Sequence, residues 1–541
     1  MGRAGTIARR TFMVGSVAVM SGVAFGYYMY RKPGPNPLLD DLKEGEAALT
    51  PYVLINASGI TLITPRADSG QGAYSVQAMM IAEELDVDMD QVSVSPGVPS
   101  PAYYNTALAA ESAPFRPTDR STMANTTRGV MDAVMKFMGM QLTGGSTTVP
   151  DGYEKLRMAG AVARETLKLA AGKRTGQDPK KMTTERAHVI LPDGTRIAYT
   201  DLAVEAAQIE PADHLALRHH SKWRIMGTPQ QRLDIVAKST GTLRYGIDFE
   251  PEGVVHATVR TNPRKGGGMN GYDAEAAKQM RGVKQVLPVT GGVAVVADNT
   301  WRAFAAAEAI DIDWGTAPYP AEMDAHWQAL ADSFNDDHLD SRKRDDGDVD
   351  EAFEGTTELV EAEYRAPYLA HAPLEPSNAT VLVGDDRVDV WSGTQVPRFV
   401  QANLAKLTGI NVDNIHVHVQ MMGGSFGQRL EDDVERQATE IAMQMKGTPV
   451  KLTYRREEDM THDHPRQIAM ARGRGVVKDG KVHALDLGIA MPSVMSSQMG
   501  RQGWSVPGPD LQIVAGAWEQ PLSIPNYRVS GYRAPELAPI S

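Results

Sequence analysis

The sequence predicts a mixed α/β protein that folds into several domains. Its 541 residues are enough for about three or four domains of ordinary size. Alternating runs typical of strands recur at 52–55, 60–64 and 254–261, and helical patterns lie at 73–85 and 152–172. Because strands and helices are interspersed along the chain, the predicted class is α+β or mixed α/β, with ample sequence for a large core.

The composition excludes several classes of site. The net charge is −12 and the pI is about 5.6, so the chain offers no general basic surface for a nucleic acid. The sequence has no cysteines, which excludes disulfides, four-cysteine zinc sites and any cysteine-ligated iron–sulfur cluster on this chain. If the protein carries out redox chemistry, its electrons must leave through a group that this chain does not ligate by sulfur.

Residues 1–30 are predicted to be a targeting segment. Arg9 and Arg10 precede an uncharged run at 12–30, and this twin-arginine pattern is typical of the bacterial export of folded proteins. The run of 19 residues is just long enough to span a bilayer, and it contains no clear small-x-small cleavage site. We expect a periplasmic protein with an inner-membrane anchor, followed by a proline-rich linker at 31–50. An ordinary anchor with chance arginines is the alternative.

The first folded region is predicted at 51–215, and it contains two polar turns that precede helices. Gly70-Gln71-Gly72 comes before the helical pattern at 73–85 and offers backbone donors together with one side-chain amide. Thr143-Gly-Gly-Ser-Thr-Thr148 comes before the helix at 152–172 and offers hydroxyl and N–H groups. An ordinary loop and simple helix capping are the respective alternatives.

A second, smaller α/β unit is predicted at 225–315, after a hairpin with an Asp-Gly turn at 189–198. Its predicted strands and its one helical segment lie at 254–261, 282–286, 292–298 and 301–310. We assign this unit no chemistry and expect it to serve as scaffold and interface. Residues 316–353 are polar and end in an acidic run, so they are predicted to be an exposed connector.

The third region, at 354–541, carries the strongest pattern. An alternating run from His416 ends in Gly423-Gly424-Ser425-Phe426-Gly427, and a helical segment follows at 431–445. Such a turn can bring several backbone N–H groups around an anionic or oxo-bearing ligand, because glycine allows close approach. Gln395 follows a strand-like run, and its amide could bond an oxo ligand without adding charge to a buried site. A plain glycine turn is the alternative.

Two histidine-containing patterns invite interpretation as metal sites. His371 and Glu375 lie close in sequence, but no third ligand is evident nearby, so a polar turn that shapes a pocket is preferred. His462 and His464 flank an aspartate, which is more often a polar surface loop than a metal site. We therefore predict no metal bound directly by this chain.

The motifs in their order resemble a known family. The glycine turn, His-Ala-Pro-Leu-Glu-Pro at 371–376, Trp391-Ser-Gly-Thr-Gln395 and the run at 449–460 resemble the molybdopterin-binding large subunit of the xanthine dehydrogenase and aldehyde oxidase family. The order, in which 51–215 precedes the glycine turn, is similar to the isoquinoline 1-oxidoreductase beta subunit branch. The resemblance extends to Tyr532.

The resemblance implies two molybdopterin-binding regions, the second incomplete at its C-terminus, and an a/b hammerhead domain at 225–315. It implies that Gln395 faces an oxo group of molybdenum, which is held through the pterin and not by protein ligands. The residues that it implies for cofactor binding are Gln71, Gly72, Gly145, Ser146, Thr147, Gln395, Gly423, Gly424, Ser425 and Phe426.

The function implied is a molybdenum-dependent hydroxylase of the aldehyde dehydrogenase or isoquinoline 1-oxidoreductase type. Such an enzyme oxidises an aldehyde or an N-heterocycle with water as the oxygen source. The cofactor expected in this branch is the cytosine dinucleotide form of molybdopterin. Electrons are expected to leave through a separate small [2Fe–2S] subunit, in agreement with the absence of cysteines, and a cytochrome c subunit is a further candidate partner.

One feature of the family is missing from this sequence. Relatives carry a Gly-Val-Gly-Glu motif whose glutamate is the general base, and no Gly-x-Gly-Glu is present here. The catalytic residue is therefore unknown, and we expect a C-terminally truncated or split subunit that is inactive alone, with a partner chain supplying the missing region. The alternative is a non-catalytic subunit that holds cofactor or scaffolds a catalytic partner.

Overall fold

The computed structural model describes residues 35–108, 113, 115–116, 118–211, 215–356, 358–506 and 508–541. The predicted targeting segment at 1–30 and the start of the linker lie outside the described residues. The chain divides into two units at residues 235 and 236, except that Ala67–Gly72 and Arg116–Thr118 belong to the second unit. Within the described ranges no helix is both long and apolar enough to cross a bilayer.

The first unit contains two small sheets. Its four-stranded sheet has the order β1-β2-β3-β4, with β3 and β4 parallel and the other pairs antiparallel. The hairpins predicted at 52–64 and 189–198 are confirmed as β2–β3 and β6–β7. The strands are β1 Ala47–Thr50, β2 Val53–Asn56, β3 Gly59–Ile63, β4 Val92–Ser95, β5 Thr183–Glu185, β6 His188–Ile190 and β7 Arg196–Ala198.

Two helices cover the sheet of the first unit and share its core. These are α1, Ala73–Leu85, and α3, Thr148–Thr175; the unit also contains α2, Thr122–Met138, and α4, Tyr199–Ala206. Ile81 and Leu167 are fully buried in one apolar cluster with strand residues such as Leu62. Helix α3 approaches α1 closely at Gly160, where a Cβ would lie 2.3 Å from the carbonyl oxygen of Ile81. The absence of a side chain at Gly160 therefore sets the spacing of the two helices.

A buried ion cluster holds the start of α3. Asp151 lies 2.5 Å from the Arg66 guanidinium and 2.6 Å from the Lys155 ammonium, and it also accepts the N–H of Thr106 at 2.8 Å. Burial alone would raise the pKa of Asp151, but Arg66 and Lys155 outweigh burial and hold this pKa below its ordinary value. Asp151 is therefore ionised in the folded protein at neutral pH.

The second unit contains two larger sheets. Its strands are β8 Val255–Thr261, β9 Met269–Asp273, β10 Val283–Val289, β11 Gly292–Ala297, β12 Asp311–Trp314, β13 Leu339–Asp346, β14 Leu359–Ala366, β15 Asn378–Val383, β16 Val388–Ser392, β17 Ile415–Val419, β18 Val450–Thr453, β19 Ala469–Lys478, β20 Lys481–Pro492 and β21 Asn526–Ala534. Its helices are α5 Ile235–Ser239, α6 Glu275–Lys278, α7 Thr300–Glu308, α8 Met323–Asp332, α9 Val349–Phe353, α10 Pro397–Thr408, α11 Asp433–Met443, α12 Arg456–Thr461 and α13 Val494–Arg501. The mixture of strands and helices confirms the predicted fold class.

The seven-stranded sheet of the second unit carries the candidate site. Its order is β10-β11-β8-β18-β15-β16-β17, and β8–β18 and β16–β17 are its parallel pairs. Helices α10 and α11 pack their apolar residues, such as Leu404 and Ile441, on the buried strands. The sheet joins strands from the predicted hammerhead region at 225–315 to strands from 354–541. The boundary predicted between those regions is therefore not marked by a break in the sheet.

The prediction of an exposed connector at 316–353 is wrong, because this segment forms helices and a strand. It contains α8, β13 and α9, and β13 forms one edge of a five-stranded sheet with the order β13-β21-β20-β19-β14. Its Arg344 is 6% exposed, donates to the carbonyl oxygens of Gln520 and Leu522, and lies 4.2 Å from the ring of Tyr527. The polar composition misled the prediction because these tertiary partners satisfy a charge that would otherwise remain in solvent.

Replacing Gly160 with alanine tests the contact between α1 and α3. The new Cβ would overlap the backbone of α1, so we expect the free energy of unfolding to fall by about 1–3 kcal/mol. Scanning calorimetry of the full chain measures the change. Gly129→Ala is the matched control, because Gly129 is also helical but has no atom within 4 Å of its Cβ position. The control is expected to be neutral or stabilising, and equal losses in both variants would contradict the packing argument.

Asp151→Asn tests the buried ion cluster. Removing one partner of a buried pair costs about 3–5 kcal/mol, so we expect a clearly lower unfolding temperature at pH 7. Because the folded-state pKa of Asp151 is depressed, its stabilisation is present at neutral pH and is lost as the pH falls through that value. The difference from the unmodified protein should shrink in acid. Glu185→Gln, which removes an exposed pair with Arg196, is the control and should cost much less.

Candidate functional site

The candidate site is centred on the turn between β17 and α11. Gly424, Phe426 and Gly427 have φ angles of +111°, +57° and +118°. Among the described residues, the backbone N–H groups at 424–427 have no acceptor. Phe426 is 76% exposed at the tip of the turn. Successive N–H groups in such conformations form a concave donor surface that suits an oxygen-rich anionic or oxo-bearing group.

Glu375 holds this turn in place. One carboxylate oxygen accepts the N–H of Gly423 at 2.7 Å, and the other accepts from the N–H of Ile247 at 2.9 Å and the amide of Asn378 at 3.0 Å. The N–H of Glu375 donates to the carbonyl of Gly423 at 3.1 Å. A Cβ at Gly423 would lie 2.5 Å from the Cβ of Glu375, so the close pairing of the two segments requires glycine.

Arg429 closes the turn from its other end. The side chain is 4% exposed and lies 3.1 Å from a carboxylate oxygen of Glu375. It also donates to the carbonyl oxygens of Glu375 at 3.1 Å and of Gly424 at 3.3 Å. The buried guanidinium is therefore compensated by one carboxylate and by the backbone, and together they determine the shape of the turn.

Gln395 and Ser425, which the sequence analysis assigned separately to the site, contact each other. The Ser425 hydroxyl donates a short hydrogen bond to the side-chain oxygen of Gln395 and accepts the N–H of Arg429 at 3.2 Å. The N–H of Gln395 donates to the carbonyl of Arg429 at 2.9 Å. Gln395 is 8% exposed and Ser425 is 1% exposed. The site thus contains a neutral, buried amide whose orientation is set by a hydroxyl.

The predicted Gly70-Gln71-Gly72 loop belongs to the same unit as the glycine turn. The carbonyl of Asp68 accepts the N–H of Met422 at 3.4 Å, which brings the loop beside residue 423. Asp68 is 1% exposed, and its carboxylate accepts the N–H groups of Gly70 at 2.8 Å and Gly72 at 3.4 Å. The segment that contains Gln71 and Gly72 is therefore joined through Asp68 to the residue that precedes the glycine turn.

Gln71 uses its amide to close its own loop. The side-chain oxygen accepts the N–H of Ser69 at 2.7 Å, and the side-chain nitrogen donates to the carbonyl of Ala67 at 3.0 Å. The side chain nevertheless remains exposed. A direct contact of Gln71 with a cofactor stays a prediction.

Gly145, Ser146 and Thr147 lie in the first unit. Gly145 and Ser146 have φ angles of +59° and +57° and are exposed. The Thr147 hydroxyl donates to the carbonyl of Gly144 at 2.6 Å and accepts from the amide of Asn105 at 2.8 Å. Thr147 makes no side-chain cap to α3, so its hydroxyl shapes the turn instead of capping the helix. The cofactor contacts predicted for these three residues remain untested.

The histidines noted in the sequence are buried. His371 pairs with Asp463 through Nδ1 at 2.9 Å, and its N–H donates to the same carboxylate at 2.6 Å. His462 and His464 are 9% and 3% exposed, so the prediction that they lie in a surface loop is wrong. Burial lowers the pKa of His462 to about 3, which keeps it neutral. No group of three or more metal-ligating side chains occurs in the part of the chain that the structure describes.

A small cavity of about 30 Å³ lies behind the glycine turn, and Gln428, Glu435, Asp459 and His462 contribute to its lining. Burial raises the pKa of Glu435 to about 7, although Ser392 donates to its carboxylate at 2.8 Å. The sequence analysis did not identify Glu435. Glu435 lies three and seven residues before the buried Ala438 and Ala442 of α11, so helical periodicity places it on the apolar face. This spacing could have identified it from the sequence.

Comparison with known proteins gives a domain match over this region and two relatives along most of the chain. Residues 332–534 match the molybdopterin cofactor-binding domain. The chain is 27% identical over 537 residues to the isoquinoline 1-oxidoreductase subunit beta of Brevundimonas diminuta, covering 90% of this chain and 64% of that protein. It is 26% identical over 490 residues to the membrane-bound aldehyde dehydrogenase [pyrroloquinoline-quinone] of Gluconacetobacter polyoxogenes, covering 87% and 58%.

Among solved structures, the aldehyde oxidoreductase from Desulfovibrio gigas is similar with a TM-score of 0.44 and 21% identity, covering 62% of this chain and 42% of that chain. The chain thus spans less than two thirds of the length of the relatives described here. The domain match lies over the glycine turn, Gln395 and the Glu375–Arg429 pair. The chain therefore contains a molybdopterin cofactor-binding domain, and over most of its length it is similar to the isoquinoline 1-oxidoreductase subunit beta.

Proposed function

We propose that this chain is the cofactor-holding part of a molybdenum hydroxylase that oxidises an aldehyde or an N-heterocycle. In this proposal water supplies the oxygen, and electrons leave to a separate [2Fe–2S] subunit, with a cytochrome c subunit as a further acceptor. The cofactor proposed is the cytosine dinucleotide form of molybdopterin. The relative named isoquinoline 1-oxidoreductase supports the substrate class, and the cysteine-free sequence supports a cluster on another chain.

The observation that carries the proposal is the donor surface at 424–427. The N–H groups there have no acceptor among the described residues, and unsatisfied backbone donors are rare in folded proteins unless a ligand or solvent receives them. Glu375 and Arg429 hold the turn through a hydrogen bond to Gly423 and the ion pair between them. The donor set fits an oxygen-rich cofactor, because it offers hydrogen bonds without a net positive charge at the surface of the turn.

Each residue of the site has a distinct task in this proposal. Bound molybdopterin would supply a redox centre that accepts two electrons from the substrate. Residues 424–426 would bind the cofactor through backbone donors. Gln395, oriented by Ser425, would present a neutral amide toward the metal-bearing end. Glu375 acts at a distance by holding Gly423, so it is a positioning residue.

The general base is proposed to come from outside these 541 residues, which contain no Gly-x-Gly-Glu motif, and a chain that carries this motif is a candidate partner. The same observation favours a second candidate, a non-catalytic subunit that holds cofactor or scaffolds a partner. Identification of every chain that co-purifies with the protein from its own host distinguishes the two. A partner that carries the missing glutamate supports the hydroxylase.

The proposed location is the periplasmic face of the inner membrane. The twin-arginine pattern before the uncharged run at 12–30 supports this placement, since that export route carries folded, cofactor-loaded proteins. The relative whose name specifies a membrane-bound enzyme is in keeping with it. That name also specifies pyrroloquinoline quinone, so the cofactor is best decided by direct analysis.

Metal and cofactor analysis of the protein isolated from its host is the first test. We expect molybdenum near one atom per chain, together with a cytosine nucleotide released from the cofactor. Gly424→Ala should lower the molybdenum content severalfold, because alanine at a φ of +111° is strained and its Cβ would lie 3.1 Å from Pro373. Inductively coupled plasma mass spectrometry measures the metal.

Gly409→Ala is the matched control for Gly424→Ala. Gly409 also has a positive φ, of +73°, but no atom lies within 4 Å of its Cβ position at the end of α10. It should keep the molybdenum content of the unmodified protein, although alanine at this position also adopts a positive φ. Equal loss in both variants, or pyrroloquinoline quinone in place of molybdenum, would overturn the proposed site.

Glu375→Gln tests the positioning role of the buried carboxylate. The substitution leaves the Arg429 guanidinium without its ionic partner and places an amide donor where Glu375 now only accepts. We expect a lower unfolding temperature and a reduced molybdenum content. Glu308→Gln, which alters an exposed carboxylate, is the control and should change neither. Full molybdenum occupancy in Glu375→Gln would show that the turn does not need this carboxylate.

A further inference from the structure

Helix α2 carries an apolar stripe that the described protein leaves exposed. Met123, Val130, Val134 and Phe137 are 72%, 59%, 52% and 85% exposed. Their spacing of seven, four and three residues places them on one face of the helix. Ala124 is the one residue of α2 that is buried. An exposed stripe of this kind marks an interaction surface, because soluble proteins rarely leave large contiguous apolar patches in water.

The charged contacts of the helix with its unit lie on the side away from the stripe. The Lys136 ammonium lies 5.8 Å from the ring of Tyr104, and burial lowers its pKa. Asp132, on the same side as Lys136, is half-buried, and burial raises its pKa. A surface helix ordinarily turns its apolar side toward the core. In α2 the four apolar residues of the stripe are exposed, so this apolar face is available to a partner.

The beginning of the described chain lies close to the residues that hold α2. Leu38 packs against the apolar cluster of Ile63, Ala102 and Tyr103. Two residues after Tyr103, the N–H of Asn105 donates to the carbonyl of Met140 at 2.9 Å. Met140 lies directly after the C-terminal end of α2. The entry of the chain into the first unit and the C-terminal end of α2 therefore share one short segment, residues 102–105.

Chain length limits how far this segment can be from the uncharged run at 12–30. The six residues at 31–36 can cover at most about 20 Å when fully extended. Helix α2, with 17 residues, is about 25 Å long. If the run at 12–30 spans a bilayer, the first unit is tethered within about one helix length of the lipid surface, on the side where α2 is attached.

We propose that α2 lies in the interface of a lipid bilayer, with the stripe of Met123, Val130, Val134 and Phe137 turned toward the acyl chains. The inference rests on the proposed membrane anchor and adds a second, independent contact to it. A helix with an apolar face and a charged face takes up this position by burying its apolar side below the headgroups. The proposed partner is the membrane itself.

The absence of cysteines makes a direct test simple, because single cysteines can be introduced and spin-labelled. The full chain is reconstituted into vesicles of phosphatidylethanolamine and phosphatidylglycerol. Nitroxides are placed at Val134→Cys and Phe137→Cys on the stripe, and at Asn125→Cys on the opposite face as the matched control. Collision rates with oxygen and with a water-soluble nickel chelate report the depth of each label. We expect the oxygen-to-nickel ratio to be roughly threefold or more higher on the stripe than at the control.

Flotation of the same samples separates this proposal from the anchor on which it rests. If the chain floats with vesicles but all three labels are equally accessible to nickel, the proposed position of α2 in the bilayer is overturned. The proposed anchor would then still hold. A chain that does not float, with all labels in water, would overturn both. If the labels on the stripe are shielded in the absence of vesicles, and the shielding increases with protein concentration, the partner is a second copy of the chain. This result also contradicts the proposal. Circular dichroism verifies that each variant is folded.

Discussion

The geometry of the site depends on one buried ion pair, between Glu375 and Arg429. The pair joins a segment near residue 375 to both ends of the glycine turn, and it leaves neither charge without a partner. A buried pair of this kind contributes little net stability by itself, since desolvation offsets the attraction. Its value lies in specificity, because any other arrangement of the turn would leave a charge buried and unpaired.

The glycines of the turn are required for two different reasons. Gly423 is needed by space, since its backbone lies against the side chain of Glu375. Gly424 and Gly427 are needed by conformation, since their φ angles are ones that other residues rarely adopt. Together they free four backbone donors at 424–427 that regular structure would have used. The site is thus made mainly of backbone, positioned by a few buried charges.

The first unit uses the same principle with different residues. Asp151 compensates Arg66 and Lys155 directly below the turn at 144–147, as Glu375 compensates Arg429 below the turn at 423–427. In both turns the exposed residues are small or carry their donors on the backbone, and the charged groups lie behind them. This arrangement shapes a polar surface without placing strong charges on it.

The sequence by itself determined the fold class, the two hairpins, the helices at 73–85 and 152–172 and the residues of the polar turns, because periodicity and glycine conformation are local properties. It also excluded a cysteine-ligated iron–sulfur cluster on these residues through their lack of cysteine. Only the tertiary structure decided which carboxylate forms an ion pair with which guanidinium. It placed part of the predicted connector in strand β13, buried His462 and His464, and left four apolar residues of α2 exposed. These outcomes depend on contacts between residues far apart in the chain, which local patterns cannot specify.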